Sequence, residues 1–106
     1  MGKPLDPQQS HRITLPEAAE KARAHRQGGP ARAGDAGAFN AQAIKDVLAQ
    51  PGCVGLRYYK GRGKEGSDTM ILVGVNESGD DMTEGVLLQV PFLCPPYCSN
   101  SNSLNT

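Results

Sequence analysis

The sequence predicts an α+β domain: two N-terminal helices packed on a three-stranded antiparallel meander, in the order α-α-β-β-β. Three observations predict it. Capping residues and helically spaced apolar side chains are confined to residues 14–50. Alternating or continuous apolar runs follow from residue 53 onward. The segments between those runs, 61–68 and 76–84, are Gly- and Asp-rich and short enough to join antiparallel neighbours.

The first helix is expected near 15–27. Thr14-Leu15-Pro16-Glu17 fits a capping box, in which the Thr hydroxyl accepts an early backbone N–H and Glu17 reaches back to the Thr14 N–H. Pro16 is tolerated there because first-turn N–H groups have no helical partner. Leu15, Ala18, Ala19 and Ala22 share one face, and Gly28-Gly29-Pro30 ends the helix. Residues 28–38, rich in Gly and Ala, read as a loop. The second helix is expected near 40–50, with Asn40 as its cap and Phe39 and Ile44 placed as a hydrophobic staple. Pro51-Gly52 stops it.

Strands are expected near 53–60, 69–75 and 85–90. In the first, Val54, Leu56 and Tyr58 alternate with Gly55, Arg57 and Tyr59. The second, Thr69 to Val75, is a continuous apolar run, as befits a central strand covered on both faces. The predicted core sets Leu72, Val54 and Leu56 against Ile44, Val47 and Leu48. Residues 1–12 read as an extended arm, 13–98 as a single domain, and 99–106 as a polar tail.

That core is thin. Leu, Ile, Val and Phe number 20 of 106 residues, while 11 are Ala. A domain of this size gains much from burying surface against a second chain. Charge is also unevenly placed. Residues 1–64 hold all eleven Lys and Arg against five acids, and residues 65–106 hold six acids and no Lys or Arg. If the halves occupied different faces, the molecule would be dipolar and self-complementary, with arm and tail available to lie across a neighbour.

Several function classes are argued against. No apolar run approaches the roughly 18 residues of a membrane span, so no membrane partner is expected. The N-terminal residues have no apolar signal segment, which predicts a cytoplasmic protein. Arg12, Lys21, Arg23, Arg26, Arg32, Lys60, Arg62 and Lys64, with Tyr58 and Tyr59 for stacking, could face a nucleic acid. The pI near 6.7 and the scarcity of aromatics argue against that partner.

Gly61-Arg62-Gly63-Lys64-Glu65-Gly66 matches G-x-G-x-x-G, but a strand follows it where dinucleotide binding needs a helix N-terminus, so it reads as a hairpin loop. Glu77, Asp80, Asp81 and Glu84 lack the calcium-loop pattern and read as a polar hairpin tip. Neither His11 nor His25 is coupled to Cys53 or to a Ser, so no catalytic residue and no enzymatic activity are expected.

Cys94-Pro95-Pro96-Tyr97-Cys98 holds two sulfurs close together. It reads as a reduced structural turn, a disulfide or redox-sensitive pair, or half of a zinc site. Cys94 and Cys98 are the candidate metal ligands, zinc is the cofactor they would hold, and none other is expected.

Leu48–Tyr59 (LAQPGCVGLRYY), Leu72–Val75 (LVGV), Gly79–Val86 (GDDMTEGV) and the CPPYC segment together resemble a group of small uncharacterised bacterial proteins, mainly from Bacteroidetes. The resemblance spans about residues 13–98 and brings no activity or site residue with it. The sequence thus predicts a small non-enzymatic protein acting through self-association or contact with a protein partner, process unspecified. The runner-up is a small thiol or metal-binding protein using Cys94 and Cys98.

Overall fold

The computed structural model describes residues 2–30 and 32–106; Met1 of the expected arm and Ala31 of the expected loop lie outside them. It is a mixed α+β fold with two helices, α1 (Leu15–Arg26) and α2 (Ala41–Leu48), and five strands: β1 (Ala36–Ala38), β2 (Cys53–Arg62), β3 (Asp68–Asn76), β4 (Leu87–Gln89) and β5 (Phe92–Cys94). The strands form two antiparallel sheets. One has the order β2-β3-β4, with β3 central. The other is a two-stranded ladder, β1 against β5. The single meander expected from the sequence is therefore part of a larger arrangement. The β1–β5 pair joins a segment read as loop to one that lies beyond the last expected strand, 85–90.

Both helices start where their caps predict. The Thr14 hydroxyl accepts the Glu17 N–H, and the Glu17 carboxylate accepts the Thr14 N–H. The Asn40 side chain accepts the Ala43 N–H at 2.8 Å. Their packing differs from expectation. α2 lies against β2 and β3, and its Val47 is fully buried. α1 is not the second covering helix: Ala19 is its one buried side chain. Its face of methyl groups offers too little apolar area to hold it on a sheet. It is tethered at its C-terminal end instead, where Arg26 Nη1 donates to the Leu104 carbonyl at 2.6 Å.

The core gathers Val47, Leu72, Val73, Val75 and Val90. Leu56 and Ile44 are half-buried. Val54 and Leu48, expected inside, are about half exposed, at 51% and 47%. For Val54 the reason is a bulge: Cys53 pairs with Asn76 and Gly55 with Val75, so Val54 is the extra residue and the alternation restarts after it. β3 is covered on both faces only at its Leu72–Val75 end; Met70 and Ile71 stand partly in solvent.

Both chain ends make their contacts within the chain. Lys3 lies against Gly79, and Leu5 Cδ1 sits 2.9 Å from where a Cβ on Gly55 would stand. Gly79, at φ +84° in the turn before Asp81, is the residue type this requires: any side chain would be strained there and would strike the Lys3 carbonyl. The tail folds on itself through Asn102 and Asn105, with Leu104 held by Arg26.

Two substitutions separate the buried from the exposed strand positions. Leu72→Ala should cost about 2–5 kcal/mol, enough to unfold much of so small a domain. Val54→Ala should change stability by no more than about 0.5 kcal/mol. Chemical denaturation followed by far-UV circular dichroism measures both. A Leu72→Ala protein as stable as the parent would contradict this core.

Candidate functional site

Three features outside the core carry chemistry: an open strand edge, a cleft between the two sheets, and the sulfur pair at the end of β5.

The edge follows from the register of the three-stranded sheet. The Met70 and Gly74 carbonyls accept from Val90 N–H (2.9 Å) and Met82 N–H (2.8 Å), on the side away from β2. Backbone groups of successive strand residues point to opposite edges, so Thr69, Ile71, Val73 and Val75 face β2. Their partners Gly61, Tyr59, Arg57 and Gly55 bond inward. Leu56, Tyr58 and Lys60 must then turn their N–H and C=O groups outward, and among the described residues no hydrogen bond reaches them. Val54, Tyr58 and Tyr59 are exposed along the same strand.

A charged network braces one face of that strand. Arg57 Nη1 donates to Asp81 Oδ1 at 2.5 Å and to the Gly79 carbonyl at 3.2 Å, and the Tyr59 hydroxyl donates to Asp81 Oδ2. The Tyr59 hydroxyl, and after it Arg57, holds the Asp81 carboxyl below its ordinary range. Asp81 in turn pushes the Tyr59 hydroxyl above its own.

The cleft, of about 790 Å³, lies where the Arg62 end of β2 and the Asp68 end of β3 meet the β1–β5 ladder. Phe39, Met70, Val90 and Leu93 give it an apolar wall, and His25, Arg32, Asp35, Lys60, Arg62 and Asp68 a charged one. His25 Nε2 lies 3.0 Å from Asp35 Oδ1, while Asp35 Oδ2 accepts the Arg32 N–H at 3.0 Å. The Arg32 guanidinium forks onto Asp68 Oδ2, with Nε at 3.1 Å. The His25 contact and the Arg32 amide lower the Asp35 carboxyl, and the Arg32 guanidinium lowers that of Asp68. Gly34, at φ +97°, lets this loop touch the Asp68 carbonyl, an approach that a Cβ would block. A smaller hollow of about 270 Å³ shares His25, Arg32 and Asp35 with it.

Cys94 and Cys98 are joined as a disulfide, with their Cα atoms 4.8 Å apart. Phe92 and Tyr97 meet edge to face beside it, ring centroids 4.9 Å apart. The reduced turn is thus not the form seen, and the two candidate zinc ligands are bonded to each other. Cys53 is a free, half-buried thiol whose Sγ donates to the Gly55 carbonyl. Among the described residues no three His, Cys, Asp or Glu side chains converge as a metal site.

Comparison with protein-family models, curated proteins and solved structures finds no match for this chain. No helix among the described residues is long and apolar enough to cross a membrane. The G-x-G-x-x-G segment spans the last two residues of β2 and the β2–β3 hairpin loop, which is closed by Gly63 N–H on the Ser67 carbonyl at 2.9 Å. Glu77 and Asp80 lie in the turn that follows β3. His11 is exposed on the arm. Of the basic residues considered for a nucleic acid, Arg32, Lys60 and Arg62 gather at the cleft, while Arg26 is tied to the tail. The basic and acidic halves meet inside the fold, through Arg32–Asp68 and Arg57–Asp81.

The Tyr59–Asp81–Arg57 network predicts a two-sided pH dependence. A carboxyl lowered on folding stabilises above its unfolded range, about pH 4, and that contribution is lost as pH falls through the folded value. A phenol raised on folding stabilises below its unfolded value, about pH 10, and that contribution is lost as pH rises through the folded value. Tyr59→Phe should flatten the alkaline loss and weaken the acid one relative to the parent. Thermal melting from acid to alkaline pH measures the difference, and parallel profiles for the two proteins would count against the network.

Proposed function

We propose that this is a non-enzymatic protein that works by protein–protein contact, and that the contact is the outer edge of β2, paired with the same edge of a second copy. The unpaired N–H and C=O groups of Leu56, Tyr58 and Lys60 carry this reading. An open strand edge is a template for another strand. An antiparallel register centred on Tyr58 aligns outward-facing groups with outward-facing groups. It also sets Arg57 across from Tyr59 of the second copy, Lys60 across from Leu56, and Arg62 across from Val54. No like charges oppose each other there, whereas centring on Arg57 or Lys60 would set identical cations face to face. The arrangement is two-fold and closed, so it ends at a dimer. Pairing through backbone groups also differs from attraction between charged halves in its response to salt.

Sedimentation at increasing concentration tests the proposal. The parent should dimerise, and raising salt from about 0.05 to 0.5 M should leave the dimer in place, although the screening length shrinks severalfold. Tyr58→Pro removes an outward N–H without breaking the β2–β3 ladder, and should give a folded monomer. A parent that stays monomeric, or a Tyr58→Pro variant that dimerises equally, would refute the proposal.

A second reading, a small thiol protein, is favoured by the bond between Cys94 and Cys98. Without reductant, thiol alkylation should stop at one adduct, on Cys53; after reduction and unfolding it should reach three. Two further adducts in the unreduced protein, with stoichiometric zinc, would support the metal-binding form instead.

A further inference from the structure

We infer that the cleft between the sheets is a binding site for a small organic anion: an acidic head held by Lys60 and Arg62, and an apolar body lying against Phe39, Met70, Val90 and Leu93. The site uses the side chains of Lys60 and Arg62, at the end of the strand whose backbone edge is proposed for dimerisation, and does not require the dimer.

The charges in the cleft are unevenly committed. Both carboxylates are engaged, Asp35 by His25 and the Arg32 amide, Asp68 by the Arg32 guanidinium. Lys60 and Arg62 line the same space, and among the described residues neither lies within ion-pair distance of an acid. They sit two residues apart at the end of β2, on one face of the strand. Arg62 stands across the ladder from Asp68 and helps to lower its carboxyl without a direct ion pair, and Lys60 has no acid partner among the described residues. Two cations without a bonded carboxylate, lining a partly apolar cleft, favour an incoming anion. A guanidinium and an ammonium together suit a carboxylate or a phosphate.

The apolar lining gives the ligand its second requirement. Phe39, Met70, Val90 and Leu93 come from four separate segments, and the β1–β5 ladder brings them together. At about 790 Å³ the cleft falls within the size range of small-molecule sites. A free inorganic anion would use the cations and leave this wall bare. An anion with a short apolar body uses both. Thr69 lines the same cleft, and its hydroxyl oxygen is buried with no hydrogen-bond partner. Such an orphaned group is one that a polar ligand atom would satisfy.

Octanoate is the probe, with octylammonium and inorganic phosphate as comparisons. In ¹H–¹⁵N spectra octanoate should give saturable shifts at residues 60–62, 68–70 and 90, with a Kd of about 1 mM or tighter, a range open to so small a ligand. The Lys60→Gln/Arg62→Gln double variant should weaken binding by about tenfold or more while keeping the parent fold. Octylammonium should not compete. Absence of saturable shifts, unchanged affinity in the double variant, or equal binding of octylammonium would overturn the site. Equal affinity for inorganic phosphate would overturn the role given to the apolar wall. Repeating the titration with Tyr58→Pro separates the two proposals: octanoate should bind it as it binds the parent.

Discussion

The rest of the molecule depends on one antiparallel ladder, β2 against β3. It is the longest pairing in the fold, running from Cys53–Asn76 to Arg62–Asp68. At the Gly55 end, α2 covers one face, and the arm and the turn through Gly79 approach the other. That is where Leu72, Val73 and Val75 are buried. Toward Arg62 the ladder outruns its cover, and Tyr58, Tyr59, Met70 and Ile71 emerge. The hydrophobic core occupies one end of the hairpin and the cleft the other.

Gln50 shows how one polar side chain can position several elements in so thin a core. Its Nε2 donates to the Val47 carbonyl in the last turn of α2, and its Oε1 accepts the Val86 N–H just ahead of β4, both at 2.8 Å. The half-buried amide adds a bond to a helix-end carbonyl that also accepts the Gln50 N–H at 3.4 Å, and supplies the acceptor for a strand-entry amide. It ties α2 to the far strand of the sheet where apolar contact is sparse. Arg57 does comparable work on the opposite face, reaching from β2 to the turn at Gly79 and Asp81.

What the sequence revealed follows the range of each interaction. Thr14 with Glu17, and Asn40 with Ala43, are contacts across a single turn, and residue type alone announces them. The apolar run from Thr69 to Val75 marked the central strand, although burial and chemistry coincide only from Leu72 to Val75. The β1–β5 pair was invisible. Ala36-Gly37-Ala38 has no alternation to read, and its partners lie more than half the chain away, at Phe92–Cys94. The cleft was lost with it: Arg32 and Asp35 looked like loop residues until that ladder brought them beside Asp68. The bulge at Val54 defeated the core assignment in a similar way, since one extra residue reverses which side chains face inward.

The short β1–β5 ladder has a kinetic meaning. Its strands are three residues each, and its register joins Ala36 to Cys94. Closing so long a loop is entropically costly and is rewarded by few hydrogen bonds, whereas the β2–β3 hairpin closes locally. The hairpin can therefore form early and the ladder late. In the folded protein the same inequality makes the ladder open well before the hairpin melts. Amide protons of β1 and β5 would exchange through such local openings, and those in the middle of β3 only through global unfolding. The cleft wall that includes Leu93 is thus built on the less persistent of the two sheets.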